Sequence, residues 1–358
     1  MPRKLLRSAF ARLGPVSRRD QRIAELSRRV KQLEAEKRGQ APSFQVRLNE
    51  ERRLRKWESE LGAPRRSVIA RGKFHVYDLI RSHGIDVPKQ LGRWHDPVDI
   101  PWDELPDAVV IKSAFGASSR GVVPMRRVDG GWQVVTRDAT VTSEEVAADL
   151  AALAAERKVR PPFGAEELLD DGSGTLPIDI KVYTFYGEAP VALLRRVSHH
   201  GTGGSAAYRV VDRHGTDLVG TYVGKPTDPT IPLPGALVEL FDVAEAVSII
   251  IRAPFSRIDL YDIRGRIVFG EVTPCPGSPG WFGPDLDITM GEAWERAQVR
   301  LWCDIGQGVS REPEWGPLST TAQSTSADRR MSTRTSRAGS RVVMDEDATV
   351  HPLAASGL

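Results

Sequence analysis

Apolar residues recur at every second position in several short stretches of this chain and at every third or fourth position in longer ones. The period of two predicts strands over Asp107–Ser113, Ile178–Tyr186, Pro190–Val197, Ser256–Ile263 and Arg266–Thr273. Hairpin turns are expected at Gly187 and at Arg264-Gly265, and a third hairpin joins Gly121–Arg127 to Trp132–Thr136 across Asp129-Gly130-Gly131. The helical period predicts helices over Leu48–Leu61, Lys73–His83, Ser143–Arg157 with Ser143 as N-cap, Pro234–Ile251 and Gly291–Gln298. Further upstream, Ile23, Leu26, Val30 and Leu33 form an apolar stripe on a helix of about Arg18–Arg38. That stripe is short for a coiled coil, so docking onto the protein's own body is expected. From Gly306 the periodicity stops, and residues 319–340 hold 11 Ser/Thr and no aromatic residue, the composition of a disordered tail. Three regions follow: a basic helical extension (1–66), a central body (67–305) and a Ser/Thr/Arg-rich tail (306–358).

Composition allows the body a substantial core, since 40% of the 358 residues are apolar. No apolar run approaches the roughly 20 residues that span a bilayer, and the basic start is too interrupted for a secretory signal. Cys275 and Cys303 form no metal or redox motif, so a cytoplasmic, reducing setting is expected. The net charge of +3 conceals an asymmetry: residues 1–66 carry 19 Lys and Arg against 8 Asp and Glu, leaving the remainder acidic. The start of this extension, Leu5, Leu6, Phe10 and Leu13 among Arg and Lys, reads equally as a segment lying on an inner membrane surface and as a disordered basic tail, and residues 1–38 suit a membrane or partner contact better than nucleic acid.

The chemistry concentrates in Phe255–Gly280, FSRIDLYDIRGRIVFGEVTPCPGSPG. Folded as a hairpin, its period of two gathers Arg257, Asp259, Glu271 and Thr273 on one side of a sheet. Hard oxygen ligands beside an Arg suit Mg²⁺ held against phosphates, while cross-strand charges on a surface hairpin would give the same pattern. Three further segments carry polar residues of interest. IKSAFGASSRGV places Lys112 on a strand before a small-residue loop with Gly116, Ser118, Ser119 and Gly121, which lets backbone N–H groups approach phosphate oxygens without being a Walker A loop. FGAEELLDDGSG sets Glu166, Glu167, Leu168 and Leu169 where a strand meets an acidic loop, and IDIKVYTFYG puts Asp179 and Lys181 on one strand face. His199 and His200 open a Gly-rich loop that reads either as a substrate lid or as a solvated connection.

Taken in order, these four segments resemble the ATP-grasp superfamily, and within it the teichuronopeptide-biosynthesis type, from about Lys73 to Trp294. The resemblance implies an α+β fold in which two lobes clamp ATP, preceded by the basic extension and followed by the tail. It also implies roles. Lys112 would contact the α/β-phosphates, the loop Gly116–Gly121 would close over the β/γ-phosphates, and Glu166–Leu169 would form the adenine hinge. Asp179 would lie near the ribose and Lys181 near the phosphates, with Lys73 reaching the nucleotide. Asp259 and Glu271 would hold Mg²⁺, with Thr273 where many members carry Asn, and Arg257 would stabilise the acyl-phosphate charge. Gly72 stands where an Asp is expected before Lys73. The implied activity is ATP-dependent ligation of a carboxylate to an amine in envelope polymer synthesis. A kinase acting on a hydroxyl and a non-catalytic nucleotide-responsive protein stay open beside it.

Overall fold

Strands with alternating apolar positions pair, in the computed structural model, into two antiparallel sheets, and each sheet buries its apolar face under helices. The structure describes residues 20, 22–33 and 41–319, apart from 63–67, 117–118, 137–138, 174, 198–205, 226 and 278–281. The first sheet runs, in spatial order, β1 (Gln90–Trp94), β6 (Val159–Glu167), β2 (Ala108–Gly116), β3 (Val122–Val128), β4 (Gly131–Val134) and β5 (Ala139–Val141). Helix α3 (Ser143–Ala155) covers it, with Val146 and Leu150 joining Val109, Ile111, Met125, Trp132 and Phe163 in one core. The second sheet runs β11 (Arg266–Thr273), β10 (Ser256–Ile263), β7 (Asp179–Thr184), β8 (Val191–Val197) and β9 (Ala206–Val211).

Helix α4 (Leu237–Ile251) closes one face of that sheet, where Leu240, Phe241, Ala244 and Val247 meet Ile180, Val182, Leu194, Ile258 and Leu260. Helix α2 (Lys73–Ser82) touches both β2 and β11 and so ties the two lobes together. Helices α1 (Phe44–Glu60) and α5 (Pro284–Gly306) pack on each other at the far end of the second sheet. There the fully buried Phe44 stands edge-on to Tyr183, Phe185, Phe255 and Phe282, with ring centroids 5.0–6.1 Å away. The β10–β11 turn has Arg264 at φ 56° and Gly265 at φ 87°, the doubly left-handed turn that matches strand twist. Among the described residues, no helix is long and apolar enough to cross a membrane.

Several sequence expectations need correction. The N-cap of α3 is Thr142, not Ser143, because Glu145 completes a reciprocal capping box with it at 2.8 and 3.2 Å. Helix α1 begins at Phe44, four residues before Leu48, since Ser43 caps it by accepting from the Val46 N–H at 3.2 Å. Helix α5 spans 23 residues rather than Gly291–Gln298, with Pro284 preset for the first turn and Asp285 and Asp287 favouring its positive end. Strand β2 runs on to Gly116 because Gly116 still pairs with Val159. The stripe on the helix at residues 22–33 is not docked: Ile23, Leu26, Val30 and Leu33 stay about half exposed, at 48–52%. The described N-terminal residues that do enter a core are Phe44 and Leu48 of α1. The chain also remains packed past Gly306. Arg252 donates to the carbonyls of Ser310 and Glu312, Trp315 stands edge-on to His75 at 5.3 Å, and the Gly316 N–H donates to Ser82 Oγ at 2.8 Å. The tail from residue 320 lies outside the described residues.

Candidate active site

Antiparallel register turns the period of two into a grid on the open face of the second sheet. One row holds Thr273, Arg257 and Tyr183, and the next holds Glu271, Asp259 and Lys181. A third holds Asp179, Arg195 and Tyr208. Between Asp259 and Leu260 the register shifts, leaving Gly270 as the extra residue of a bulge. A Cβ on Gly270 would stand 2.6 Å from the Tyr261 ring, and its carbonyl accepts from the Tyr77 hydroxyl at 2.7 Å.

Asp259 is the electrostatic centre of the grid. Arg257 donates to both of its oxygens at 2.6 and 2.7 Å, and Lys181 donates to Oδ2 at 2.6 Å. Burial alone would raise its carboxyl, but the two cations outweigh that and hold it below the usual carboxylate range. The Arg257 guanidinium rises in turn: burial works against its charge, and Asp259 more than offsets it. Arg257 also donates to Thr273 Oγ1 at 3.0 Å, while Lys181 pairs with Asp179 at 2.6 Å. Burial pushes the Tyr183 phenol up to about 12.

The first sheet and α2 form the opposite wall. Lys112 of β2 pairs with the buried Glu166 of β6 and donates to the Tyr77 hydroxyl at 3.0 Å. Burial lowers the Lys112 ammonium's preference for charge, yet Glu166 reverses this and holds it well above the ordinary lysine value. Lys73, at the start of α2, lies 3.3 Å from Glu271. Between the walls opens a cleft of about 1290 Å³.

Most of the residues singled out in the sequence meet there. Lys73, Lys112, Gly116, Ser119, Glu166, Glu167, Leu168, Leu169, Asp179, Lys181, Arg257, Asp259, Glu271 and Thr273 all line the cleft. Gly121 does not: at φ 70° it turns the chain behind the wall, its carbonyl accepting from the Ser113 N–H at 2.8 Å. Ser118, His199 and His200 lie outside the described residues. Sequence reasoning overlooked Tyr77, Arg195, Tyr208, Tyr222 and Tyr261. Tyr261 was within reach of it, two residues beyond Asp259 on the same strand face. The Lys112–Glu166 pairing was not, because it depends on the register of strands some fifty residues apart.

A family model described as TupA-like ATPgrasp matches residues 55–295, two thirds of the chain. The chain belongs to the TupA-like ATP-grasp family. No curated protein sequence matches this TupA-like protein. Solved structures similar to it include D-alanine–D-alanine ligase from Bacillus anthracis complexed with ATP, at 15% identity over 70% of this chain and 74% of that one, TM-score 0.43. The ATP-grasp ligase PsnB complexed with minimal precursor aligns at 16% identity over 68% of this chain and 66% of that chain, TM-score 0.39. D-cycloserine synthetase DcsG aligns at 15% identity over 63% and 70%, TM-score 0.39.

The ATP-grasp fold family implies a divalent cation, and the donor set here suits Mg²⁺. Asp259 and Glu271 are direct partners across β10 and β11. Mg²⁺ takes one or two carboxylates and completes its shell with phosphates and water. No group of three or more His, Cys, Asp or Glu that could hold a metal occurs among the described residues. Glu271 is the more accessible of the two acids, its side chain 41% exposed against 6% for Asp259.

Proposed function

We propose that this TupA-like protein is an ATP-dependent carboxylate–amine ligase that works through an acyl phosphate. One observation carries the reading: Arg257 and Lys181 converge on Asp259, the cross-strand partner of Glu271, at the floor of a cleft whose opposite wall presents Lys112. Such a floor favours charge that builds up during phosphoryl transfer more than charge already spread in the ground state. Leu168, Leu169 and Tyr261 supply apolar wall for an adenine, with Glu166 and Glu167 at the hinge. Among the described residues Asp179 Oδ1 is a buried acceptor with no hydrogen-bond partner, which suits a ribose hydroxyl as donor. Lys112 and Lys73 face the phosphates, and Gly116 and Ser119 border them. Asp259 and Glu271 would hold Mg²⁺, beside the Thr273 hydroxyl, and the ion supplies neutralisation of phosphate charge.

In the reaction an oxygen of the substrate carboxylate attacks the γ-phosphorus, and the bond to the ADP oxygen breaks. Arg257 and Lys181 stabilise the acyl phosphate that results. The amine then attacks the acyl carbon, inorganic phosphate leaves, and the amine proton passes to water. The family resemblance supports an envelope polysaccharide or peptide polymer as the destination of the product.

Trapping tests the chemistry. With ATP, a panel of carboxylates and hydroxylamine as the amine, the protein is expected to yield a hydroxamate and one inorganic phosphate per ATP consumed. A stable phospho-product formed without any amine would make it a kinase instead. Absence of turnover with every acceptor, together with an unchanged phenotype for Asp259→Ala and Glu271→Ala in cells, would leave only nucleotide binding. Mass spectrometry of surface polymers from a deletion strain tests the envelope assignment, which an unaltered polymer profile would refute.

A further inference from the structure

Beyond the residues that face ATP in this reading, the cleft is also lined by residues of β8 and β9. Arg195 lies on β8, in register with Asp179 on one side and Tyr208 on the other. Its nearest acid is Asp179 Oδ2 at 3.7 Å, too far for a hydrogen bond, and that oxygen already sits 2.6 Å from Lys181. Among the described residues Arg195 makes no hydrogen bond, so a guanidinium with five N–H donors borders the cleft with its donor capacity unspent.

An aromatic wall leads from Arg195 to Arg257. Tyr208 and Tyr222 have ring centroids 5.2 Å apart, Tyr222 lies 5.5 Å from Phe282, and Phe282 lies 5.0 Å from Tyr183, the register partner of Arg257. All three tyrosines are buried yet line the cleft. Burial raises the Tyr183 and Tyr222 phenols, so these two stay neutral. The wall therefore offers flat, uncharged aromatic faces between two guanidiniums. Arg257 is already bound to Asp259, whereas Arg195 is not comparably satisfied. Their register partners on β7, Tyr183 and Asp179, are four residues apart, about 13 Å of strand at roughly 3.3 Å per residue.

We propose that Arg195, with Tyr208 and Tyr222, binds a second anionic group of the acyl-donating substrate, making that substrate an extended dicarboxylate whose other carboxylate lies beside Arg257. The proposal rests on the ligase reading but concerns binding, which can be measured without turnover. A γ-phosphate of ATP has the same chemistry as the proposed anion, and the experiment separates the two sources.

The full chain, saturated with Mg²⁺ and the non-hydrolysable analogue AMPPNP, is titrated calorimetrically with α,ω-dicarboxylates from succinate to suberate and with monocarboxylates of equal length. One or two lengths of dicarboxylate should bind at least about tenfold tighter than the matched monocarboxylate, the scale of one charge-assisted hydrogen-bonded contact. Arg195→Gln should remove that difference, Arg195→Lys should keep part of it, and neither should alter AMPPNP affinity more than about twofold, as expected for a group outside the phosphate site. Circular-dichroism melting of each variant verifies folding.

Equal binding of di- and monocarboxylates overturns the proposal. So does binding of AMPPNP with no acid bound at all. A loss of AMPPNP affinity in Arg195→Gln that matches the loss of dicarboxylate affinity would make Arg195 a phosphate ligand instead. A protein that binds dicarboxylates but forms no hydroxamate would refute the ligase reading alone. A hydroxamate-forming enzyme indifferent to the second carboxylate would refute the subsite alone.

Discussion

Replacing Asp259 by Asn removes the charge on which two cations converge while changing little volume. The buried carboxylate accepts three short hydrogen bonds, two from Arg257 and one from Lys181. Breaking a buried pair by removing one partner costs about 3–5 kcal/mol, because the other charge is left uncompensated. Lys181 would keep Asp179 at 2.6 Å, but Arg257 would keep only neutral acceptors at hydrogen-bond distance among the described residues, the Thr273 hydroxyl and the new amide oxygen, so the lower end, about 3 kcal/mol, is expected. That is a large part of the 5–15 kcal/mol, roughly, that holds a typical domain folded. The sign with pH follows from the depressed carboxyl of Asp259. A carboxyl lowered on folding adds stability above its unfolded pKa, about 3.9, and loses it only as pH falls through the lower folded value. Urea unfolding followed by far-UV circular dichroism should therefore show Asp259→Asn less stable by about 3 kcal/mol at both pH 7 and pH 5.5, a midpoint shift of about 1 M. The gap should narrow only below about pH 4. Equal midpoints at pH 7, or a gap that closes between pH 7 and pH 5, would refute a charged Asp259 as anchor of the two cations.

Phe44→Ala should cost about 3–5 kcal/mol in the same unfolding assay, since Phe44 is fully buried among five aromatic rings. Glu271→Gln should change stability by about 1 kcal/mol or less, since the Glu271 side chain is 41% exposed in its salt bridge to Lys73. ATP turnover in that variant should nevertheless fall about 100-fold, as for removal of one preorganised charge-stabilising group, with phosphate release as the readout. Gly164→Ala would set a Cβ 2.5 Å from the Phe74 ring beneath β6, and a loss of about 1–3 kcal/mol is expected from unfolding midpoints.

The most legible part of the site was the β10–β11 hairpin. Its strands are joined by a tight turn, so period and turn together determine which side chains share a face. Arg257 and Thr273 accordingly stand opposite each other, as do Asp259 and Glu271. Asp179 and Lys181 were legible for the same reason, being two residues apart on one strand. Signals that compete at close range were less legible. Both Thr142 and Ser143 can cap a helix, and the choice depended on which of them Glu145 could reach in return. The stripe of Ile23, Leu26, Val30 and Leu33 misled, because periodicity reports an apolar face and not what covers it.

Local pattern alone thus determined many of the elements, the charged hairpin and the order of motifs that places the chain among the ATP-grasp proteins, since a period of two and a short turn act within a few residues; strands such as β1, β5 and β9 became evident only from their pairing. Tertiary structure decided the rest. The Lys112–Glu166 pair, the bulge that seats Gly270 against Tyr261, and the row of Arg195, Tyr208 and Tyr222 arise from register and packing between distant segments. Those contacts are chosen by which buried charges and rings can satisfy one another at once, a condition set by the whole fold and written in no single stretch of the chain.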